Sequence, residues 1–228
     1  MEYLAKNKVS IILTIFIFIF VVMGVYSNVM EQRAVDQSKL PEKVELNSGF
    51  QRWITNLKNK GLTIEADEFR LIEENEVYNT KWMKVYSIEE EGRKEKYEKT
   101  IAEHRDIKKV VFSPSDRLFI DYRFEPRNGY QPGEVRFYGL TEDKIINARA
   151  LGCKNQANCY FDRGFFLDND VFVISELSLA FDEDPTCGRT AECTFTFKLH
   201  VTDLKKNQRL IYESLAKELV LEKTIPEL

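Results

Sequence analysis

The cysteines are the residues whose type and spacing most clearly point to chemistry. Cys153 and Cys159 form one C-x5-C pair, and Cys187 and Cys193 form another, both in polar stretches rich in turn residues. Structural zinc sites mostly use a tighter C-x2–4-C spacing, and both histidines of the chain are remote in sequence from the cysteines. An even number of cysteines favours disulfide bonds if the domain is exported, as the N-terminal segment described below predicts. The pattern therefore predicts two disulfide bonds, and it predicts neither a metal site nor a cofactor.

The connectivity of these bonds is one of three possibilities. Bonds within each pair would close two short loops, whereas bonds between the pairs would tie two long loops together at one sheet edge. We favour bonds within each pair, which mainly constrain the shape of a loop. Asp182, Glu183, Asp184 and Arg189 surround the second pair, and we expect them to form a binding loop. The alternative is that the bonds only reinforce an exported domain.

The two histidines, His104 and His200, are the natural bases for a hydrolytic site, yet neither lies in a recognisable catalytic motif. His104 precedes a predicted strand. His200 alternates with Leu199 and Val201, which predicts that its side chain faces outward from a sheet. The sequence contains no G-x-S-x-G, P-loop or G-x-G-x-x-G motif. We therefore predict no catalytic residue.

An uncharged apolar segment near the N-terminus indicates a membrane anchor. Residues 9–26 read VSIILTIFIFIFVVMGVY, and as a helix they would extend about 27 Å, close to the roughly 30 Å of a bilayer core. Lys6 and Lys8 precede this segment, whereas Glu31 and Asp36 follow it. This asymmetry places the N-terminus in the cytoplasm and the remainder outside the membrane.

Two interpretations of the apolar segment remain open. A cleaved signal peptide would be cut after Ser27 and would release a secreted protein. An uncleaved signal anchor would leave a single-pass protein of the cell membrane. Apolar cores of secretory signals usually run about 7–15 residues, and residues 9–26 exceed that length, so we favour the anchor.

A well-delimited helix is predicted over residues 48–60. Phe50, Trp53 and Leu57 fall on one helical face, and Gly61 follows where a helix commonly ends. Ser48 with Gln51 resembles a capping box at its start. We expect this amphipathic helix to dock on the core of its own domain rather than lie on the membrane. The resulting organisation is a cytoplasmic stub (1–8), a transmembrane signal anchor (9–26), a juxtamembrane linker and helix (27–61), an extracytoplasmic β domain (62–214) and a C-terminal tail (215–228).

From residue 62 onward, short runs of Val, Ile, Phe and Tyr between turn residues predict a mainly β fold. Three segments share the order of apolar strand, acidic turn and apolar strand, and each is followed by a second strand and turn. The first hairpins are 64–72, 111–120 and 166–174, and the second are 84–92, 136–144 and 200–208. This internal repeat predicts about three antiparallel β-meanders, with the helix and the tail covering their open ends.

The stretch 104–116, which reads HRDIKKVVFSPSD, and the strand end Val201-Thr202-Asp203-Leu204 resemble β-propeller blades of the WD40 or TolB type. The resemblance covers residues 62–214 and implies blade-like meanders. The Trp-Asp dipeptide of WD40 blades is replaced by Tyr86-Ser87, Tyr138-Gly139 and Thr202-Asp203. Three units are also fewer than the usual four or more blades of a closed ring, so an open sheet, a packed sandwich and part of a ring are all compatible with the repeats.

Charge and composition narrow the class of function. A net charge of −4 and a pI of about 5.5 do not indicate the basic surface that proteins use to bind nucleic acid. The expected function is a non-catalytic, membrane-anchored extracytoplasmic module that binds a protein partner or takes part in assembly of the cell envelope. Two alternatives are an extracytoplasmic hydrolase of envelope polymers and a sensor or regulatory subunit of a membrane complex.

Overall fold

The computed structural model describes residues 16–24, 26, 40–78, 81–125, 133–153, 159–180 and 187–226. The chain divides into a unit of residues 1–37 and a unit of residues 38–228. In the first unit, residues 16–24 form a helix, α1, whose large apolar side chains are exposed. Among the described residues, no helix combines the length and the apolar character needed to cross a membrane. The predicted anchor also includes residues 9–15 and 25, which lie outside the described residues.

The second unit is mainly β, as the sequence predicts. Its helices are α2 (Glu42–Glu45), α3 (Ser48–Asn59), α4 (Arg93–His104) and α5 (Leu221–Thr224). Its described strands are β1 (Arg70–Asn75), β2 (Met83–Ser87), β3 (Val110–Phe112), β4 (Leu118–Asp121), β5 (Glu134–Thr141), β6 (Lys144–Gly152), β7 (Cys159–Asp168), β8 (Val171–Leu179), β9 (Glu192–Asp203), β10 (Gln208–Glu213) and β11 (Lys217–Val220).

These strands form two antiparallel sheets. Across the described residues, the larger sheet has the order β1-β10-β9-β8-β7, with β11 paired to β9 beyond β10, and the smaller sheet has the order β2-β6-β5-β4-β3. One hydrophobic cluster lies between the larger sheet and α3, a second between the two sheets, and a third between the smaller sheet and α4. The unit is therefore a four-layer sandwich in the order helix, sheet, sheet, helix.

Strand β8 shows how the sequence produces the two inner layers. Val173 and Leu177 belong to the cluster beneath α3, whereas Phe172 and Ile174 belong to the cluster between the sheets. Successive side chains of a strand point to opposite faces, so an apolar residue on each face requires a layer on each side. The continuous apolar run Val171–Ile174 at the start of β8 reflects burial on both of its faces.

Helix α3 docks on the larger sheet, which confirms the predicted docking. Phe50, Trp53 and Leu57 are its buried residues. The capping differs from the prediction, because the cap is Asn47, whose side chain accepts from the backbone N–H of Gly49 at 2.7 Å and of Phe50 at 3.4 Å. An asparagine at this position satisfies backbone donors that the first turn leaves unpaired.

Four of the six predicted hairpins are confirmed by the strand pairing. They are β3–β4, β5–β6, β7–β8 and β9–β10. The hairpin expected over 64–72 is wrong, because residues Ala66–Glu68 form a 3-10 turn and β1 pairs instead with β10. The return strand expected after residue 92 is also wrong, because α4 begins there.

Helix α4 forms because its sequence is rich in Lys and Glu, which favour helix. Tyr97 and Ile101, one turn apart, are its buried residues, and they pack with Phe119 and Ile145 of the smaller sheet. Within residues 38–228, the β segments of the predicted repeat form a packed sandwich, which is one of the three arrangements that the repeat left open. The resemblance to propeller blades stays a prediction.

Candidate functional site

The cysteines form the two disulfide bonds that their spacing predicts. Cys153 is bonded to Cys159 with 5.6 Å between the Cα atoms, and Cys187 is bonded to Cys193 with 6.0 Å. The favoured connectivity within each pair is therefore confirmed. The first bond belongs to the cluster between the sheets, and the second borders the cluster beneath α3.

The predicted binding loop lies mostly outside the described residues. Asp182, Glu183 and Asp184 fall in the stretch 181–186, which the structure does not describe. Arg189 is described, is exposed, and accepts a backbone hydrogen bond from Glu222 at 3.0 Å. The role of this loop in binding stays a prediction.

The expectation that His200 faces outward is wrong. Its side chain lies on the inner face of β9 and is 5% exposed, because Ile174 of β8 and Ile211 of β10 flank it in the sheet and the smaller sheet covers that face. His200 Nε2 lies 2.8 Å from Glu176 Oε2, and the hydroxyl of Ser178 donates to the other oxygen of Glu176. Alternation along β9 could not reveal this, since both faces of the larger sheet are buried.

This buried cluster joins two neighbouring strands, since Glu176 and Ser178 lie on β8 and His200 lies on β9. The hydroxyl of Ser178 donates to Glu176 and not to His200, so these three side chains lack the order of serine, histidine and acid found in a hydrolytic triad. Glu176 also lies close to the sulfur atoms of Cys153 and Cys159, but bonded cysteines offer no thiolate to a metal. His104 stacks on Phe119 at a centroid distance of 4.7 Å, and its Nδ1 lies 2.8 Å from the backbone carbonyl of Thr100, one turn earlier in α4.

The buried pair of Glu176 and His200 makes the stability of the fold depend on pH. Burial by itself raises the pKa of Glu176, but the hydrogen bond and charge of His200, with help from Ser178 and Lys198, outweigh burial and lower the pKa of Glu176. A carboxylate with a lowered folded-state pKa stabilises the protein above its unfolded-state pKa. That stabilisation is lost as the pH falls through the folded-state pKa.

We expect the free energy of unfolding of Glu176→Gln to fall less steeply in acid than that of the parent. The variant should unfold about 1–3 kcal/mol more easily at neutral pH, and its deficit should shrink as the pH falls below about 4. Urea unfolding of the full chain at a series of pH values measures both effects. Glu98→Gln, on the exposed face of α4, is the matched control. A pH dependence in Glu176→Gln equal to that of the parent would contradict this assignment.

A partly enclosed polar cleft lies at the junction of α3, β7 and the turn before β3. We call it the basic cleft and define it by Trp53, Lys60, Lys108, Lys109, Asp162 and Arg163. Its volume is about 320 Å³, near the lower end of the range for small-molecule sites. Tyr122 at the end of β4 also lines it, so both sheets contribute to its walls.

A bulge in β7 places the acidic residue of the cleft. Phe161 pairs with Glu176 and Arg163 pairs with Ser175, so Asp162 is the extra residue. Bulges redirect side chains in this way and often occur beside functional sites. Asp162 Oδ2 accepts a hydrogen bond from Trp53 Nε1 at 2.7 Å. Burial raises the pKa of Asp162, although the Trp53 hydrogen bond and the charges of nearby lysines and arginine oppose that rise.

Four basic side chains surround this single carboxylate. Lys60 Nζ donates to the backbone carbonyl of Thr224 at 2.5 Å, which holds its charge at the rim. Lys108, Lys109 and Arg163 form no ion pair with any described residue. The backbone of Lys109 is fixed by a 3.1 Å hydrogen bond from the Tyr122 N–H to its carbonyl. The cleft is thus locally positive in a chain whose net charge is −4.

Sequence reasoning missed this site because its charges come from three distant segments, at residue 60, residues 108–109 and residues 162–163. Trp53 was assigned correctly to the core face of α3, but its indole N–H also reaches the cleft. Two local signals were present. Lys108-Lys109 is a basic doublet beside a strand, and Asp162-Arg163 interrupts the aromatic alternation of Phe161 and Phe165, as a bulge does.

The chemistry that this cleft supports is recognition of an anion. Basic side chains without ion-pair partners attract negative charge, and a partly enclosed cleft strengthens that attraction. Hydrolysis of a glycosidic bond uses two carboxylates, whereas Asp162 is the only carboxylate among the described lining residues. Comparison with known proteins adds no assignment, since no family model, no curated protein and no solved structure matches this chain.

Proposed function

We propose that this chain is a non-catalytic extracytoplasmic binding module whose basic cleft holds an anionic group of a cell-envelope component. The observation that carries this proposal is a set of three cations, Lys108, Lys109 and Arg163, that pair with no acidic residue in the described part of the chain and line a cleft of about 320 Å³. Basic side chains that lie close together repel one another, so their clustering in an acidic protein requires a cause. Their convergence from separate segments is best explained by an anionic ligand.

The disulfide bonds and the N-terminal sequence support the proposed extracytoplasmic location of the chain. Disulfide bonds persist in oxidising compartments outside the cytoplasm, and both predicted bonds form. We propose that residues 9–26 anchor the chain in the cell membrane with its N-terminus in the cytoplasm, or that the protein is secreted if cleavage occurs after Ser27. In this proposal the anionic group belongs to the predicted envelope partner.

Isothermal titration of the full chain in detergent micelles with inorganic phosphate tests the proposed site. We expect Lys108→Gln combined with Arg163→Gln to weaken binding by about tenfold or more, since each removes a charge-assisted interaction with the anion. The control is Lys94→Gln combined with Lys96→Gln on the exposed surface of α4, which removes the same charge from another place. The control should bind like the parent.

Two results would contradict the proposal. One is a parent protein that does not bind phosphate at all. The other is an equal loss of affinity in both double variants, because that would mean that phosphate responds only to the overall charge of the protein and not to the cleft.

A further inference from the structure

We propose that the basic cleft selects phosphate monoesters or hydrogen phosphate over sulfate and phosphodiesters, and that Asp162 is the residue that selects them. This inference rests on the proposed anion-binding function. It concerns which anion the cleft accepts, and its basis is Asp162, the one carboxylate that stands with four basic side chains among the described lining residues.

The position of Asp162 is fixed by the hydrophobic core. Trp53 is 1% exposed and packs against Phe197 and Phe69 at ring-centroid distances of 5.8 and 6.2 Å. Its indole N–H therefore holds Asp162 Oδ2 from below, at 2.7 Å. Asp162 Oδ1 makes no hydrogen bond with any described residue, although the side chain lines the cleft. A rigid hydrogen-bond acceptor is thus presented to a ligand that the surrounding cations attract.

An ionised carboxylate accepts hydrogen bonds and donates none. Sulfate and phosphodiesters carry only acceptor oxygens at neutral pH, so a fixed carboxylate repels them. A phosphate monoester has a second pKa of about 6 and can keep one P–O–H group. That group donates a short, charge-assisted hydrogen bond to the carboxylate, while Lys108, Lys109 and Arg163 face its remaining oxygens.

One proton is therefore shared between Asp162 and the bound monoester. Burial raises the pKa of Asp162, so the proton can reside on either partner without changing the net charge of the complex. When the pH rises well above the second pKa of the ligand, this proton is lost and two anionic groups face each other. Affinity for a monoester should consequently fall as the pH rises from about 6 to 8, whereas affinity for sulfate should not depend on ligand protonation.

Isothermal titration of the full chain in detergent with methyl phosphate, dimethyl phosphate and sulfate tests this inference. Sulfate matches the charge of the fully ionised monoester, dimethyl phosphate matches the charge of the protonated monoester, and both lack an O–H group to donate. We expect the parent to bind methyl phosphate at least tenfold more tightly than either control anion. Asp162→Asn should bind sulfate more tightly than the parent does and should lose most of the preference. Asp168→Asn, which alters an exposed carboxylate of the β7–β8 turn, should retain the preference.

The outcomes separate this inference from the proposed function. Equal affinity of the parent for methyl phosphate and sulfate overturns the selection by Asp162 but leaves the anion site intact. Binding of none of the three anions overturns both. If Asp162→Asn does not fold, the pH dependence of binding to the parent tests the inference. A monoester affinity that does not fall between pH 6 and 8 contradicts the shared proton.

A fourth ligand identifies the source of the monoester. Short-chain phosphatidic acid carries the same group on a lipid body. Affinity well above that of methyl phosphate would support the inference with a lipid headgroup as the ligand, and equal affinity would support it with a soluble or polymer-borne phosphate. Failure of short-chain phosphatidic acid to bind, when methyl phosphate does bind, would support the soluble source alone.

Discussion

Replacing Gly139 by alanine is expected to lower the free energy of unfolding by about 3 kcal/mol or more. Gly139 of β5 is paired with Leu118 of β4. A Cβ atom at position 139 would overlap the Cα and Cβ atoms of Leu118 and would lie 2.7 Å from the carbonyl oxygen of Arg117. Backbone atoms are among those overlapped, so no side-chain rotation can make room, and β4 and β5 must separate.

Urea unfolding followed by tryptophan fluorescence measures this loss. Gly188→Ala is the matched control, because a Cβ atom there meets nothing within 4 Å. The control should stay within about 0.5 kcal/mol of the parent. A loss in Gly139→Ala below about 1 kcal/mol would mean that β4 and β5 adjust more readily than their pairing indicates.

Replacing Trp53 by alanine is expected to cost about 3–5 kcal/mol of stability, as for other large aromatic side chains removed from a core. Trp53 contacts Phe50, Phe69 and Phe197 at ring-centroid distances of 5.8 to 6.2 Å. It therefore joins α3 to the larger sheet. Its removal leaves a cavity beneath α3 and removes the donor that holds Asp162.

Trp53→Phe separates the packing contribution from the hydrogen bond. Phenylalanine keeps much of the apolar contact but leaves Asp162 without its donor, at an expected cost of about 1–3 kcal/mol. In an Asp162→Asn background the same substitution should cost less, because no charged oxygen then loses its partner. Urea unfolding of the four proteins forms a double-mutant cycle, and an energy of interaction near zero would contradict a stabilising bond.

The elements that the sequence predicted well are those with local signals. The spacing of Cys153 and Cys159 identified a short disulfide loop, and the positions of Phe50, Trp53 and Leu57 identified the docked face of α3. Hairpins with a turn between two apolar runs were also recognised. In each case the partners are close in sequence, so the pattern and the contact coincide.

The features that the sequence did not reveal depend on contacts between distant segments. His200 was placed on an outer face because its alternation with Leu199 and Val201 is typical of a half-exposed strand. The second sheet buries that face, and the local sequence of β9 contains no pattern that predicts a second sheet. Helix α4 is different, since the spacing of Tyr97 and Ile101 was available and was outweighed by the expected repeat.

The pairing of β1 with β10 has a consequence for the timing of folding. Arg70 lies opposite Glu213 in this pairing, so the first strand of the domain to leave the ribosome bonds to one of the last. Until β10 is synthesised, β1 has no partner in the larger sheet, and closing so long a stretch of chain is slow. The larger sheet therefore cannot be completed before β10 has been synthesised, and until then β1 remains an unpaired strand.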